Sequence, residues 1–256
     1  MSSTYEFLRL ERTESVGIIT LDRPPLNVLT IAMNRELERA LASLAADDHL
    51  KAVVLRAEGR AFCAGVDVAD HTPERVDEMI HGFARLVTQL RTLAIPTIAV
   101  VQGAALGGGT ELAMGCDITL AAASARFGQP EITLGVFPPI ATALFPQRIG
   151  YQQAARLIFT GETVSAQEAA RLGLVTEVAP DADLTNHLSA LLERLTGLSA
   201  VALRLAKRAL LLGADGGVDA LGAINQLYLA ELMATSDARE GIQSFIAKRQ
   251  PIWRNQ

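Results

Sequence analysis

The chain has 256 residues, of which 50% are hydrophobic and 20% are charged. This composition predicts one sizeable globular domain, or one core with an added lobe, and excludes a disordered chain. The net charge of −5 opposes a nucleic-acid-binding surface, and the sequence contains no apolar run long enough to span a membrane. Because the N-terminal sequence lacks the features of a signal peptide, we expect a cytoplasmic protein.

Strand and helix signals alternate along the first 180 residues. Short apolar runs predict strands at 17–21, 52–56, 97–101, 117–123 and 174–178. Apolar residues at helical spacing predict helices at about 30–46, 73–92, 110–115, 151–160 and 165–172. From residue 184 onward only helices are predicted, at 184–196, 199–213, 217–234 and 237–248. This order predicts an α/β core over residues 1–196 and a helical C-terminal section over residues 197–256.

Two loops rich in small residues follow predicted strands. The first is AFCAGVD at 61–67, and the second is GAALGGG at 103–109, which continues into a short helix. Small residues let the backbone approach a ligand closely and leave N–H groups free. Close packing of a strand against a helix explains one such loop equally well. Two of them at strand ends predict a pair of backbone N–H groups that converge on one oxygen atom.

Two glutamates lie beside the triple glycine. Glu111 is on an otherwise apolar short helix directly after it, and Glu131 follows a proline further along the chain. Taken singly, Glu111 is explained by the favourable N-terminus of a helix and Glu131 by an exposed loop. A carboxyl group on an apolar helix next to a glycine loop instead predicts a cleft. Burial in a cleft would raise its pKa and suit acid–base catalysis.

Other candidate motifs carry less chemistry. The four histidines have no metal-ligand spacing, and Cys63 and Cys116 are expected to be buried, reduced thiols, so no metal site is predicted. Arg204, Lys207 and Arg208 form a basic stripe at helical spacing. This stripe fits either a solvated helix face or a clamp for an anionic ligand.

Several segments resemble signatures of the crotonase family, the enoyl-CoA hydratase and isomerase superfamily. AFCAGVDV (61–68) is similar to its Phe-x-Ala-Gly-x-Asp signature. Its central signature resembles GAALGGGTELAMGCDI (103–118) together with ARFGQPEITLGV (125–136). PPLN (24–27) and FIAKRQPIW (245–253) resemble its early turn and its end. The resemblance runs from about residue 17 to residue 254. It implies a superhelix of β-β-α turns, a helical C-terminal section that builds trimers or hexamers, and a coenzyme A thioester substrate without a further cofactor.

The resemblance also implies roles for individual residues. The backbone N–H groups of Val66 and Gly108 would form an oxyanion hole for the thioester carbonyl. Having both glutamates implies hydration of an α,β-unsaturated acyl-CoA, in which Glu111 accepts a proton from the attacking water and Glu131 delivers one to the α-carbon. Coenzyme A contacts would come from Leu26, Asn27, Ala61, Ala64, Val66 and Asp67, and, for the phosphates, from Lys207 and from Lys248 of a neighbouring subunit.

One segment departs from the common family pattern. After the second glutamate, common members carry a glycine-rich stretch, whereas this chain has VFPPIAT at 136–142. That segment and DVADHTP (67–73) resemble the subgroup that hydrates cyclic dienecarbonyl-CoA thioesters. The resemblance then implies an acyl pocket formed by His71, Phe137, Pro138, Pro139 and Ile140, although a surface position explains His71 equally well. The alternatives are a double-bond isomerase that uses Glu131 alone and a non-enzymatic RNA-binding relative, which the acidic net charge opposes.

Overall fold

In residues 5–256, which the computed structural model describes, nine strands form two sheets. The strands are β1 (Leu8–Arg12), β2 (Val16–Leu21), β3 (Ala52–Ala57), β4 (Thr97–Val101), β5 (Ala104–Leu106), β6 (Ile118–Ala122), β7 (Arg126–Gly128), β8 (Thr163–Ser165) and β9 (Glu177–Ala179). The larger sheet has the order β1-β2-β3-β4-β6-β9, and the smaller one has the order β5-β7-β8. All neighbours in the larger sheet are parallel except β1 and β2.

Helices cover the sheets and make up most of the chain after residue 180. They are α1 (Ile31–Ala45), α2 (Val76–Thr92), α3 (Gly108–Met114), α4 (Pro139–Ile149), α5 (Tyr151–Thr160), α6 (Ala166–Leu172), α7 (Leu184–Thr196), α8 (Ala200–Gly216), α9 (Leu221–Gln226) and α10 (Ser236–Ile246). Short 3-10 helices at Val68–His71 and Pro130–Leu134 lie next to the site described below.

The chain winds in repeated strand–strand–helix turns. One turn consists of β4, β5 and α3, and the next places β6 beside β4 and β7 beside β5, both in parallel. Two earlier turns carry single bridging residues in place of a second strand: Cys63 pairs with Ala105, and Leu29 pairs with Val66. This is the superhelix of β-β-α turns that the sequence resemblance implied.

Local sequence explains why these elements form. The strands β3 and β4 are buried along most of their length, which fits their continuous apolar runs. Helix α1 begins after Thr30, whose hydroxyl accepts a hydrogen bond from the N–H of Met33 at 3.2 Å. Its apolar face, which includes Leu37 and Leu41, belongs to one continuous core.

Some element boundaries differ from the sequence predictions. The strand predicted at 174–178 is only Glu177–Ala179, and the helix predicted at 217–234 is divided into 3-10, α and π turns. Helix α4 was not predicted at all. The division at 196/197 stays a prediction and coincides with the turn between α7 and α8. None of the described helices combines the length and apolarity needed to cross a membrane.

Candidate active site

A cavity of about 420 Å³ opens where consecutive turns of the superhelix meet. Its walls are mostly apolar, with side chains from α2, from the glycine loop and from the segment that leads into α4. The ionisable residues that line it are Glu111, Glu131 and His71. A mostly apolar pocket with a few convergent polar groups is the usual form of a small-molecule site.

Hydrogen bonds along β5 bring the two small-residue loops together. The N–H of Cys63 donates to the carbonyl of Ala104 at 3.0 Å, and the N–H of Leu106 donates to the carbonyl of Cys63 at 3.0 Å. As a result, Val66 and Gly108 lie side by side in the cavity wall. A Cβ atom placed on Gly108 would be only 2.6 Å from Cγ2 of Val66.

Two backbone N–H groups in this wall are unpaired. Gly108 is the first residue of α3, where an N–H has no acceptor within the helix. Among residues 5–256, no backbone or side-chain group accepts a hydrogen bond from the N–H of Val66 or of Gly108. Since both residues line the cavity, they can supply two donors to one ligand.

Glycine is required at two positions of the triple-glycine loop. Gly107 has a φ of 52°, and a Cβ there would lie 2.4 Å from Oε1 of Glu131. A Cβ on Gly109 would lie 2.1 Å from the carbonyl oxygen of Cys63. These glycines therefore allow the close approach of the first loop and of the Glu131 carboxyl group.

Glu111 is almost completely enclosed. Its exposed fraction is 3%, and its Oε1 accepts a hydrogen bond from the N–H of Ala141 at 2.7 Å, in the first turn of α4. Burial raises the pKa of Glu111 to about 8; the Ala141 bond opposes the rise, and the charge of Glu131 adds to it. A carboxyl group with such a pKa can exchange a proton near neutral pH.

Glu131 lies in the 3-10 helix Pro130–Leu134 and is only partly buried. Burial raises its pKa, while its own backbone N–H and the charge of His71 lower it. The fully buried side chain of Gln129 faces this carboxyl group. With its amide nitrogen turned toward Glu131, Gln129 donates to the two carboxylate oxygens at 3.1 and 3.2 Å. Gln129 was not among the predicted site residues, although its place two residues before the glutamate is visible in the GQPE segment.

Most of the residues expected in the acyl pocket line the cavity. His71, Phe137, Pro138 and Pro139 are among them, and Phe137 remains 63% exposed at the mouth. Ile140 points elsewhere: it packs against the hydrophobic core and is not in the cavity wall.

The residues expected near coenzyme A are more dispersed. Ala64 and Val66 line the cavity, whereas Leu26, Ala61, Asp67 and Lys248 lie outside its wall.

The side chain of Asn27 is engaged within the chain. Its Oδ1 accepts from the N–H of Arg23 at 2.8 Å, and its Nδ2 donates to the carbonyls of Glu58 and Ala61 at 2.8 and 2.9 Å. Asn27 is 1% exposed, so its side chain joins the early turn to the loop after β3. The structure does not bring this side chain to the cavity.

The ammonium group of Lys207 is also engaged within the chain. It is 4% exposed, and its Nζ lies 2.8 Å from Oδ2 of Asp117 and donates to the carbonyl of Ile95 at 3.1 Å. Arg208 pairs with Glu231 at 2.6 Å. Arg204 donates to the carbonyl of Asp47 at 2.6 Å. The basic stripe is therefore held by partners within the fold, which disfavours its alternative as an anion clamp.

Neither cysteine is placed for chemistry. Burial raises the pKa of the Cys63 and Cys116 thiols to about 12, so both remain protonated and unreactive. Within residues 5–256, no cluster of three or more histidine, cysteine or acidic side chains could hold a metal ion.

Comparison with known proteins identifies the family of the chain. The profile of the family described as enoyl-CoA hydratase/isomerase matches residues 11–256. A probable enoyl-CoA hydratase of Mycobacterium tuberculosis is 38% identical over 97% of this chain and 98% of its own length. The cyclohexa-1,5-dienecarbonyl-CoA hydratase of Thauera aromatica is 36% identical over 96% of this chain and 95% of its own.

Solved structures show the same fold. A crystal structure of an enoyl-CoA hydratase from Bacillus anthracis superposes with a TM-score of 0.93 at 33% identity, covering 98% of this chain and 100% of that one. One from Mycobacterium smegmatis superposes with a TM-score of 0.92 at 31% identity, covering 97% and 99%. The chain belongs to the enoyl-CoA hydratase/isomerase family, with the crotonase fold.

Proposed function

We propose that the chain adds water across the double bond of an α,β-unsaturated acyl-CoA thioester. One observation carries the proposal: the carboxyl groups of Glu111 and Glu131 share an apolar cavity with two unpaired backbone N–H groups. The match of the whole chain to relatives named as enoyl-CoA hydratases supports it.

The two N–H groups serve as the oxyanion hole. In this proposal, Val66 and Gly108 donate to the carbonyl oxygen of the thioester. Negative charge grows on that oxygen as water attacks the β-carbon and an enolate forms. Donors fixed by the fold stabilise this charge without reorganising, and each is worth about 10²- to 10³-fold in kcat.

The two glutamates carry the protons. The oxygen of water bonds to the β-carbon while its proton passes to ionised Glu111. Protonated Glu131 gives its proton to the α-carbon and becomes a carboxylate. A proton then returns from Glu111 to Glu131, which restores the starting state, so the net reaction adds one water molecule.

The environment of Glu111 makes its ionised form a strong base, and this form is the smaller fraction of the group at neutral pH. A carboxylate whose pKa is about 8 holds a proton more strongly than an ordinary glutamate. Because Glu111 and Glu131 interact, their titration belongs to the pair, and the pH dependence of kcat/KM reports both groups. We expect a bell-shaped profile with its maximum near neutral pH.

Replacing each glutamate tests this assignment. Glu111→Gln and Glu131→Gln should each lower kcat for hydration by about 10²- to 10⁴-fold, with the fold retained. Glu193→Gln, on an exposed face of α7, is the matched control and should leave kcat unchanged. Near-normal turnover by either site variant would refute the assignment.

An isomerase that moves the double bond with Glu131 alone is the other candidate within the family. The two reactions differ in whether the product contains oxygen from water. Turnover in ¹⁸O-water, followed by mass spectrometry, separates them. Label in the product supports hydration, whereas an unlabelled product with a shifted double bond, formed equally well by Glu111→Gln, supports isomerisation.

For the acyl group, we propose a cyclic dienecarbonyl-CoA. The rigid Pro138 and Pro139 in the cavity wall support a bulky, planar acyl group. The 36% identity to the hydratase from Thauera aromatica agrees with it, although the relative from Mycobacterium tuberculosis is as similar. The test is a comparison of kcat/KM for cyclohexa-1,5-dienecarbonyl-CoA and for straight-chain 2-enoyl-CoA thioesters. A preference for the straight chains would reject the cyclic substrate.

For coenzyme A, we propose contacts with backbone along Leu26, Ala61, Ala64 and Asp67, and a phosphate contact with Lys248 of a neighbouring subunit. Lys248 is exposed, and within the described chain its side chain forms no ion pair. Lys248→Met should raise KM for the CoA thioester but not for the N-acetylcysteamine thioester, which lacks the phosphates. Equal effects on both would remove Lys248 from the phosphate site.

We also propose that the C-terminal section assembles the chain into trimers, which pair into hexamers. Large apolar side chains on this section are exposed, among them Leu210, Val218, Leu229, Phe245 and Ile246. Exposed apolar surface of this extent is typical of protein interfaces. Sedimentation equilibrium should give the mass of three or six chains, and a charged substitution such as Leu229→Glu should lower it.

A further inference from the structure

The imidazole of His71 is held in a fixed position in the cavity wall. Its Nδ1 lies 3.1 Å from the carbonyl oxygen of Asp67, so Nδ1 carries the hydrogen and donates it. Nε2, on the opposite side of the ring, has no hydrogen-bond partner in the part of the chain that the structure describes. This nitrogen is therefore not engaged within the fold.

The segment that carries His71 is anchored at both ends. The Asp67 carboxylate caps the 3-10 helix Val68–His71 by accepting from the N–H of Ala69 at 3.1 Å. Asp70 is buried, accepts from the N–H of Ile31 at 3.0 Å, and pairs with Arg75 at 2.7 Å. The ring is thus positioned by the fold rather than by a ligand.

The two acidic residues next to His71 on its own segment are paired with arginines. On its own segment, Asp67 pairs with Arg23 at 3.7 Å, and Asp70 is neutralised by Arg75. The other ionisable side chains that line the cavity are Glu131 and Glu111.

The face that α2 turns to the cavity is apolar and consists of Val76, Met79, Ile80 and Phe83. The acidic groups of the segment already have cationic partners, which leaves the Glu131 carboxyl group as the counter-charge for a protonated His71.

We propose that His71 is a positioning residue for Glu131. The imidazolium form of His71 stabilises the Glu131 carboxylate after Glu131 has given its proton to the α-carbon. This inference rests on the function proposed above for the cavity. The apolar walls make the interaction stronger than it would be in water. In agreement, the charge of His71 lowers the pKa of Glu131 against the effect of burial.

The test is a titration of Glu131 itself. In protein labelled with ¹³C at glutamate carboxyl carbons, its resonance is identified by its loss in Glu131→Gln. In His71→Gln, the pKa of Glu131 should rise by about one pH unit, since a carboxylate loses a neighbouring positive charge. In His71→Asn, the shorter amide side chain takes the place of Nδ1 and keeps the hydrogen bond to the Asp67 carbonyl. This variant should give the same rise in the pKa of Glu131. An unchanged Glu131 titration in either folded variant overturns the inference.

A second histidine supplies the matched control. His81→Gln removes an imidazole from the exposed face of α2, where it lies 3.6 Å from Asp77. It should leave the Glu131 titration unchanged, and a shift equal to that of His71→Gln would mean that the effect is not local and would overturn the inference.

Turnover separates this inference from the proposed function. The acidic limb of the kcat/KM profile should move to higher pH in both His71 variants, whereas a role in packing alone would change kcat at every pH. Absence of hydration in the unsubstituted protein would refute the proposed function, and the carboxyl titration would still decide the role of His71.

Discussion

A single added methyl group at Gly108 should impair the proposed oxyanion hole. The backbone there does not have a positive φ, so Gly108→Ala is compatible with the start of α3. Its Cβ would nevertheless lie 2.6 Å from Cγ2 of Val66 and 3.4 Å from the ring of Phe83. Carbon atoms prefer separations of about 3.5–4.0 Å, so Val66 and Gly108 must move apart by about 1 Å.

The expected loss follows from that displacement. Both residues that must separate carry the proposed donors, and a misplacement of about 1 Å costs about 10²-fold in rate. We therefore expect kcat to fall by about 10²- to 10³-fold, the value of one donor. Overpacking should cost about 1–3 kcal/mol in stability, partly offset by the better helix propensity of alanine, about 1 kcal/mol.

The assay measures the loss of conjugated thioester absorbance during hydration of an enoyl-CoA. Gly222→Ala is the matched control, because Gly222 lies in α9 with open space around it and alanine there should leave kcat unchanged. Val66→Ala removes the methyl group that clashes. The double variant Gly108→Ala/Val66→Ala should therefore recover at least tenfold over Gly108→Ala.

Two results would refute the reasoning. One is a folded Gly108→Ala protein with unchanged kcat, which would mean that Gly108 and Val66 do not act as a matched pair. The other is a double variant no faster than Gly108→Ala, which would assign the loss to something other than this contact.

Three further predictions concern buried polar groups. The folded-state pKa of Glu111 is raised to about 8, so ionising this group costs stability as pH rises from about 4.5 to 8. The unfolding free energy of Glu111→Gln, measured by urea denaturation, should therefore match that of the parent near pH 4. Near pH 9 it should exceed the parent value by up to about 5 kcal/mol. Equal differences at both pH values would contradict this. Gln129→Leu removes the donors to Glu131, which should raise the pKa of that carboxyl group and lower kcat about tenfold; an unchanged pH profile would exclude the contact. Lys207→Met leaves Asp117 without its cationic partner and should cost about 2–3 kcal/mol of stability without raising KM for the acyl-CoA. A raised KM at normal stability would instead assign Lys207 to the ligand site.

The sequence predicted that the two small-residue loops converge, and Val66 and Gly108 do lie side by side in the cavity wall. The small residues around Val66 and Gly108 follow strands, so their place in the fold is visible from the strand pattern. Helix α4 was missed because Pro139 and Pro146 interrupt the helical signal. Pro139 occupies the first turn, where a missing N–H costs nothing, so the helix forms and its N–H groups reach Glu111.

Contacts between distant residues could not be predicted in the same way. The apolar helix around Glu111 indicated a buried carboxyl group, but not that Ala141 would bind it. For Lys207, the sequence pattern indicated a ligand contact that the structure replaces with an ion pair within the chain. Its spacing with neighbouring arginines suggested a ligand clamp, whereas its partner, Asp117, lies 90 positions earlier and becomes its neighbour only after folding.

The residues of the site come from separate turns of the superhelix. The proposed donors at Val66 and Gly108 belong to two successive turns, and the wall formed by Pro138 and Pro139 belongs to the next. The proposed acyl wall continues from the segment that carries Glu131. Helix α4, which follows the wall, is joined to α3 by the bond from Ala141 to Glu111 and by Arg148, which donates to the carbonyl of Met114 at 2.6 Å. A graft of residues 136–139 from a straight-chain hydratase that leaves Ala141 in place should change which acyl groups are accepted while the hydration chemistry persists.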